Sequence, residues 1–162
     1  MTKKTLRELI SEANKINFTN WVRPSKEDLA LEYKVEYEIK PLKRLTGDAF
    51  PTFQSFLQAA NRAKVIKVTP SIDRKIEYRS RTKSKSAILS LIRSYASYPE
   101  FRNEQTIEAI YDGFRNNAPM KMPIVLRFSN GRMRIMGGNT RMDIAQHYGV
   151  TPKVLLIDVP EV

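Results

Sequence analysis

The sequence predicts an α+β fold in which helices flank a small mixed sheet. Apolar residues at helical spacing alternate along the chain with short β-type runs. The last forty or so residues give a clear order of strand, hairpin, strand, helix and strand. A length of 162 residues suits one domain, so positions 1–162 are predicted to form a single domain.

The first 85 residues show secondary structure but no motif that assigns them to a known group. Ser25 to Asp28 is a capping sequence for a short helix that ends near Tyr33. The other elements predicted here are a helix over 5–16, a strand over 35–39, a helix carrying Phe53 to Ala60, and strands over 64–69 and 75–78.

The remaining chain predicts alternating helices and strands. Helices are expected over 86–98 and, capped by Asn103, through Phe114. Pro119 and Pro123 then bracket a methionine-rich connection. Strands over 124–128 and 133–136, a helix over 140–148 and a strand over 153–159 complete the order, with Gly149 ending the helix.

The charge of the chain points to a polyanionic partner. Its net charge is +11 and its isoelectric point about 9.9, which is typical of proteins that hold nucleic acid or nucleotide. The alternative is a charge that serves solubility alone. The chain has no cysteine and one histidine, which excludes a thiolate nucleophile and a zinc–thiolate site. It also has no long apolar run and no secretory signal, so we expect a cytoplasmic protein without membrane contact.

A strand that ends in two glycines and opens into a helix is the pattern with the clearest chemistry. We call Gly137-Gly138-Asn139-Thr140-Arg141 the glycine turn. Glycines allow close backbone approach, the first N–H groups of a helix attract anions, and Arg141 suits phosphate oxygens. The alternative is a simple tight turn with Thr140 as N-cap, Asp143 as its capping partner and Arg141 solvated.

The order of these elements resembles the ParB/sulfiredoxin superfamily over about Ser86–Val159. The resemblance rests on Pro123-Ile124-Val125, a hairpin, Met133 to Arg141, the helix that follows, and Gly149 to Val154. It implies that Gly138 and Arg141 contact nucleotide phosphates. Asn139 stands where sulfiredoxins place the catalytic cysteine and where the nucleotide-hydrolysing and kinase branches place a glutamate. Because an amide replaces neither group, the resemblance carries over binding and not catalysis.

Two further groups are candidates for function. Asp143 could act as a catalytic carboxylate through a metal ion, or it could form a surface ion pair with His147. The basic segment, Arg79 to Lys85, carries Arg79, Arg81, Lys83 and Lys85 without an acidic residue. It suits a nucleic-acid backbone or, equally, a solvated loop. Trp21 is expected in the core.

These features predict a phosphate- or nucleotide-binding ParB-like protein that acts on or with DNA. The alternatives are a nucleotide-dependent phosphotransferase or NTPase and, ranked last, a ParB-like nuclease. ATP or CTP with Mg²⁺ is the expected ligand. The small size and basic charge would suit a phage accessory protein.

Overall fold

A mixed five-stranded sheet organises the chain. The computed structural model describes residues 16–35, 49–78 and 104–160. Its helices are α1 (Lys26–Tyr33), α2 (Phe53–Arg62), α3 (Pro70–Asp73), α4 (Glu104–Arg115) and α5 (Asn139–His147). Its strands are β1 (Trp21–Val22), β2 (Lys64–Lys67), β3 (Ile76–Glu77), β4 (Met120–Lys121), β5 (Ile124–Arg127), β6 (Met133–Gly137) and β7 (Lys153–Asp158).

The main sheet has the strand order β2-β7-β5-β6-β3. The β5–β6 hairpin and the β2–β7 pair are antiparallel, whereas β7 runs parallel to β5 and β3 runs parallel to β6. The β5–β6 turn contains Gly131 at a φ of +86°, a conformation that glycine adopts without strain. The prediction of a small mixed sheet with flanking helices is therefore confirmed.

Both faces of the sheet are buried. Side chains alternate along β5, so Ile124 and Leu126 face α1 and α2, whereas Val125 faces α5. Phe56 of α2 is completely buried on the first face and Met142 of α5 on the second. Burial of each such side chain contributes about 1.5–3 kcal/mol, which holds the helices on the sheet.

A third apolar cluster joins α4 and α5 to the segment before α1. Phe18, Trp21 and Phe114 meet edge to face, with ring centroids 4.8–5.5 Å apart. Trp21 is therefore a core residue, as expected. The two-stranded parallel sheet β1–β4 fixes this corner, since Met122 donates a backbone hydrogen bond to Val22 at 2.8 Å. The sequence did not indicate either strand, and β4 replaces part of the predicted connection between Pro119 and Pro123.

Several predicted elements are confirmed within a residue or two. Ser25 and Asp28 form the predicted capping box, and α1 ends at Tyr33. Strands β2, β3, β5, β6 and β7 and helices α2, α4 and α5 also match their predicted positions. The predicted helices over 5–16 and 86–98, the strand over 35–39 and the basic segment fall wholly or mainly outside the described residues. No helix in the described ranges is long and apolar enough to cross a membrane.

Candidate functional site

The glycine turn lies where β6 passes into α5. Gly137 is the last residue of β6, and Gly138 is the N-cap of α5 with a φ of +90°. A glycine N-cap has no side chain to bond the first N–H groups of the helix. Those groups also have no acceptor within the helix itself. The turn therefore lies at the positive end of the helix dipole.

Both glycines are required by close neighbours. A Cβ on Gly138 would lie 2.8 Å from the Cα of Pro123. A Cβ on Gly137 would lie 2.5 Å from Cδ and 2.7 Å from Oε1 of Glu32. Gly138 therefore packs against Pro123, the residue before β5, and Gly137 packs against the Glu32 carboxylate of α1.

Arg141 lies across the same turn. Its side chain is buried, with 6% of the residue exposed, and Nη1 donates a hydrogen bond to the carbonyl of Lys121 at 2.6 Å. Nη2 lies 3.0 Å from the position that a Cβ on Gly138 would occupy. The alternative of a solvated Arg141 is therefore wrong. Strand β4 supplies the carbonyl that holds the guanidinium beside the glycines.

The side chains of Asn139 and Asp143 contact each other across one turn at the start of α5. Nδ2 of Asn139 donates a hydrogen bond to Oδ2 of Asp143 at 3.2 Å, and Asp143 is 2% exposed. Thr140 is not the N-cap, because Gly138 holds that position. The proposed surface ion pair of Asp143 with His147 is also wrong, since Asp143 is buried. The His147 ring instead packs edge to face against Tyr111 and Tyr148.

Helix α1 brings the carboxylates of Asp28 and Glu32 near the site, which the sequence pattern did not predict. Oδ2 of Asp28 accepts from Nζ of Lys121 at 2.9 Å, beside the Lys121 carbonyl that binds Arg141. Burial opposes ionisation of the Asp28 carboxyl. Hydrogen bonds from the Ser25 backbone, Lys121 and the Ser25 hydroxyl outweigh that effect and hold the pKa of Asp28 below its ordinary value of 3.8.

Glu32 is the second such group. It follows Asp28 by four residues, so the two carboxylates share one face of α1. This spacing could have indicated from the sequence that the two carboxylates lie together. The contact of Glu32 with Gly137, however, depends on the packing of α1 against the sheet.

The basic segment follows a residue that is tied to α5. The hydroxyl of Tyr78 donates to Oδ1 of Asp73 at 2.5 Å, and Nε2 of Gln146 donates to the same oxygen at 2.8 Å. Tyr78, the last described residue before the basic segment, is therefore linked to α5 through Asp73. Arg79, Arg81, Lys83 and Lys85 themselves lie outside the described residues.

The structure brings the five residues of the glycine turn together with Asp143 and adds Glu32 and Lys121. Within the ranges that the structure describes, no group of three or more His, Cys, Asp or Glu side chains could hold a metal ion. Comparison of the chain with protein-family models, curated proteins and solved structures gives no match. The ParB/sulfiredoxin resemblance therefore stays a prediction from the order of motifs.

Proposed function

We propose that this chain binds a phosphate-bearing ligand, a nucleotide in the first place, at the glycine turn. The observation that carries the proposal is Gly138 at a φ of +90° as the N-cap of α5, with Nη2 of the buried Arg141 3.0 Å from the position that a Cβ on Gly138 would occupy. The first N–H groups of α5, the positive end of its dipole and Arg141 all belong to this turn, and such a combination favours an anion with several oxygens. The net charge of +11 adds long-range attraction for such a ligand.

We further propose binding rather than turnover as the role of the site. Asn139 can donate a hydrogen bond to a phosphate oxygen, but an amide acts neither as nucleophile nor as general base. Asp143 lies in the second turn of α5, and its Oδ2 already accepts a hydrogen bond from Nδ2 of Asn139. A nucleotide-dependent phosphotransferase or NTPase remains the second candidate, because the carboxylates of Asp143 and Glu32 both lie at the turn.

DNA is the other phosphate-bearing ligand that this proposal includes. The basic segment would grip backbone phosphates, and Tyr78 connects it to α5 through Asp73. Contacts of this kind position a protein on DNA without reading its sequence. We therefore expect any DNA binding to be independent of sequence and weakened by salt.

A melting-temperature screen with ATP, ADP, CTP and GTP, each with and without Mg²⁺, tests the proposal. A ligand present at a hundred times its dissociation constant adds about 2.7 kcal/mol of stability, so at least one nucleotide should raise the melting temperature clearly. The same melting-temperature measurement with a DNA duplex at ~50 mM salt tests for binding of nucleic acid. No shift with any nucleotide or with DNA would contradict the proposal. Release of phosphate from a stabilising nucleotide would favour the second candidate.

A further inference from the structure

Strand β2 forms one edge of the main sheet, and within the described ranges β7 is the strand that pairs with it. Val68, directly after β2, donates a backbone hydrogen bond to the carbonyl of Pro152 at 2.8 Å. Because hydrogen-bonding residues alternate along an antiparallel pair, Val65 and Lys67 direct their N–H and C=O groups away from β7. The Lys67 carbonyl accepts from the N–H of Thr69 at 3.2 Å. In the described part of the chain, the outer edge therefore offers both backbone groups of Val65 and the N–H of Lys67.

The side chains of β2 combine apolar surface with positive charge. The strand reads Lys64-Val65-Ile66-Lys67, and both lysines are exposed. Val65 is 40% exposed, although valine is usually a buried residue. Ile66 is half-buried against the core cluster on the α5 face of the sheet. The edge thus has an apolar centre with a cation at each end.

A third lysine adds to the charge at one end of β2. Lys67 and Lys153 lie directly opposite each other, in a pair without ladder hydrogen bonds, where side chains approach most closely. No ion pair joins either lysine to an acidic residue within the described ranges. The acidic residue that interacts with Lys64 is Asp158, which Arg127 holds through two hydrogen bonds. Like charges in facing positions destabilise a sheet, so an acidic group beside Lys67 and Lys153 would be stabilising.

These features suit an extended acidic segment of a partner protein. A strand added at a sheet edge gains affinity from main-chain hydrogen bonds and specificity from its side chains. A segment in the order acidic, apolar, apolar, acidic places a carboxylate opposite each lysine of β2 and apolar side chains opposite Val65 and Ile66. Such facing pairs are stabilising. The order is the same in both directions, so it fits a parallel or an antiparallel strand.

Two other occupants fit this edge less well. A second copy of the chain would bring its own Lys64 and Lys67 next to the first two, and lysines on an edge strand oppose such pairing. A nucleic-acid strand would satisfy the lysines, but it has no strand backbone to pair with the N–H and C=O of Val65.

We propose that the outer edge of β2 docks an extended acidic segment of a partner protein as an additional strand of the main sheet. This site is separate from the glycine turn, since β7 and β5 lie between β2 and β6. Its failure in the tests below would leave the proposed phosphate site standing.

The charge requirement is tested with short blocked peptides, whose binding is measured by fluorescence anisotropy. The acidic peptide contains glutamate-valine-isoleucine-glutamate, and the basic control contains lysine-valine-isoleucine-lysine. The wild type should bind the acidic peptide at least about tenfold more tightly, because two attractive facing pairs replace two repulsive ones. Lys64→Gln with Lys67→Gln should remove most of that preference. Lys26→Gln with Lys34→Gln, exposed lysines at the ends of α1, lowers the net charge equally and should leave the preference unchanged.

Backbone pairing is tested by N-methylation of the acidic peptide, one residue at a time. Alternate residues of an added strand donate to β2, so methylation should weaken binding about fivefold or more at every second position and little in between. Val65→Pro removes the outward N–H where an edge strand tolerates proline, and it should weaken binding similarly, whereas Val65→Ile should not. Circular dichroism checks the folding of each variant. The N-methyl series needs no variant, so it decides even where Val65→Pro does not fold.

Several results would overturn the proposal. These are no binding of the acidic peptide at millimolar concentration, equal affinity for the two peptides, and methylation effects without a two-residue period. Displacement of the peptide by single-stranded oligothymidylate at ~50 mM salt, with binding unchanged in Val65→Pro, would overturn it in favour of nucleic acid. A dimer seen by sedimentation of the wild type and lost in Val65→Pro would overturn it in favour of a second copy.

Discussion

Gly138 meets two separate demands at the site. Its φ of +90° is a conformation that residues with a Cβ rarely adopt, and its missing Cβ leaves room for the backbone of Pro123. Gly131 in the β5–β6 turn meets only the first demand, because a Cβ there would have no atom within 4 Å and its φ is +86°. A comparison of substitutions at the two glycines therefore distinguishes the cost of the positive φ from the cost of a clash with Pro123.

We predict that Gly138→Ala destabilises the protein more than Gly131→Ala. Both variants incur the left-handed penalty of about 1–2 kcal/mol. Only the first also forces a backbone shift against Pro123, and we expect it to lose at least ~1 kcal/mol more. Urea unfolding with unchanged m-values measures the difference. Equal losses in the free energy of unfolding would contradict the close contact between Gly138 and Pro123.

At the residue level the sequence indicates the glycine turn, but neither the burial of its charged residues nor the groups that other elements bring to it. The glycine turn was predicted because its pattern is continuous in the chain. Burial of Arg141 and Asp143 was not predicted, because charged residues near a helix start are usually exposed and the covering groups come from other elements. The Lys121 carbonyl on β4 and Glu32 on α1 lie far from the turn in sequence, so their contacts with it depend on the tertiary fold.

Elements that carry a sequence pattern of their own, such as helix α1, were predicted better than elements that carry none. The start of α1 was predicted because the two residues of the capping box, Ser25 and Asp28, lie close together in the sequence. Strands β1 and β4 were missed because each has two residues, too few to show alternation. Their pairing joins distant parts of the chain, and such pairing leaves no pattern in either segment alone.

The ion pair that holds α1 to β4 gives a pH prediction. The pKa of Asp28 is lowered in the folded protein, so its charged form contributes stability above the ordinary value of 3.8. That contribution is lost as the pH falls below 3.8 through the folded-state pKa. Because both partners are more than a third exposed, we expect about 0.5–1 kcal/mol at neutral pH.

Asp28→Asn should therefore be less stable than the wild type at pH 7, and the two should converge well below pH 3.8. Asn can still accept the hydrogen bond from the Ser25 backbone, so the variant removes mainly the charge. Urea unfolding across this pH range measures the effect, with Glu27→Gln as the control. A difference that stays constant down to acidic pH would mean that the Lys121 pair does not stabilise the folded state.

Across the whole molecule, the fold class was predictable and the distribution of charge was not. Helical and strand periodicities specify a mixed sheet with flanking helices, because the pattern is repeated in most elements. The net charge of +11 does not indicate which part of the molecule would contact a polyanion. Of the 28 basic residues, six lie between Arg79 and Asn103 with one acidic residue among them. The glycine turn, by contrast, combines Arg141 with the carboxylates of Glu32 and Asp143.

This contrast distinguishes long-range attraction of a polyanion from binding of a particular ligand at the glycine turn. The net charge of +11 would attract any polyanion over a long range, and added salt would weaken that attraction. In the proposed function, the turn would instead act at short range, through backbone N–H groups and Arg141. A phosphate ligand located at the turn therefore tests the account more directly than affinity alone, because affinity also includes the general attraction.

Amide chemical shifts of the ¹⁵N-labelled protein, recorded during titration with ATP and with CTP in the presence of Mg²⁺, give that location. The account predicts that the N–H signals of Gly138, Asn139, Thr140 and Arg141 shift most, together with those of neighbouring α1 around Glu32. Shifts that are largest elsewhere in the chain, with the signals of the glycine turn unchanged, would contradict it.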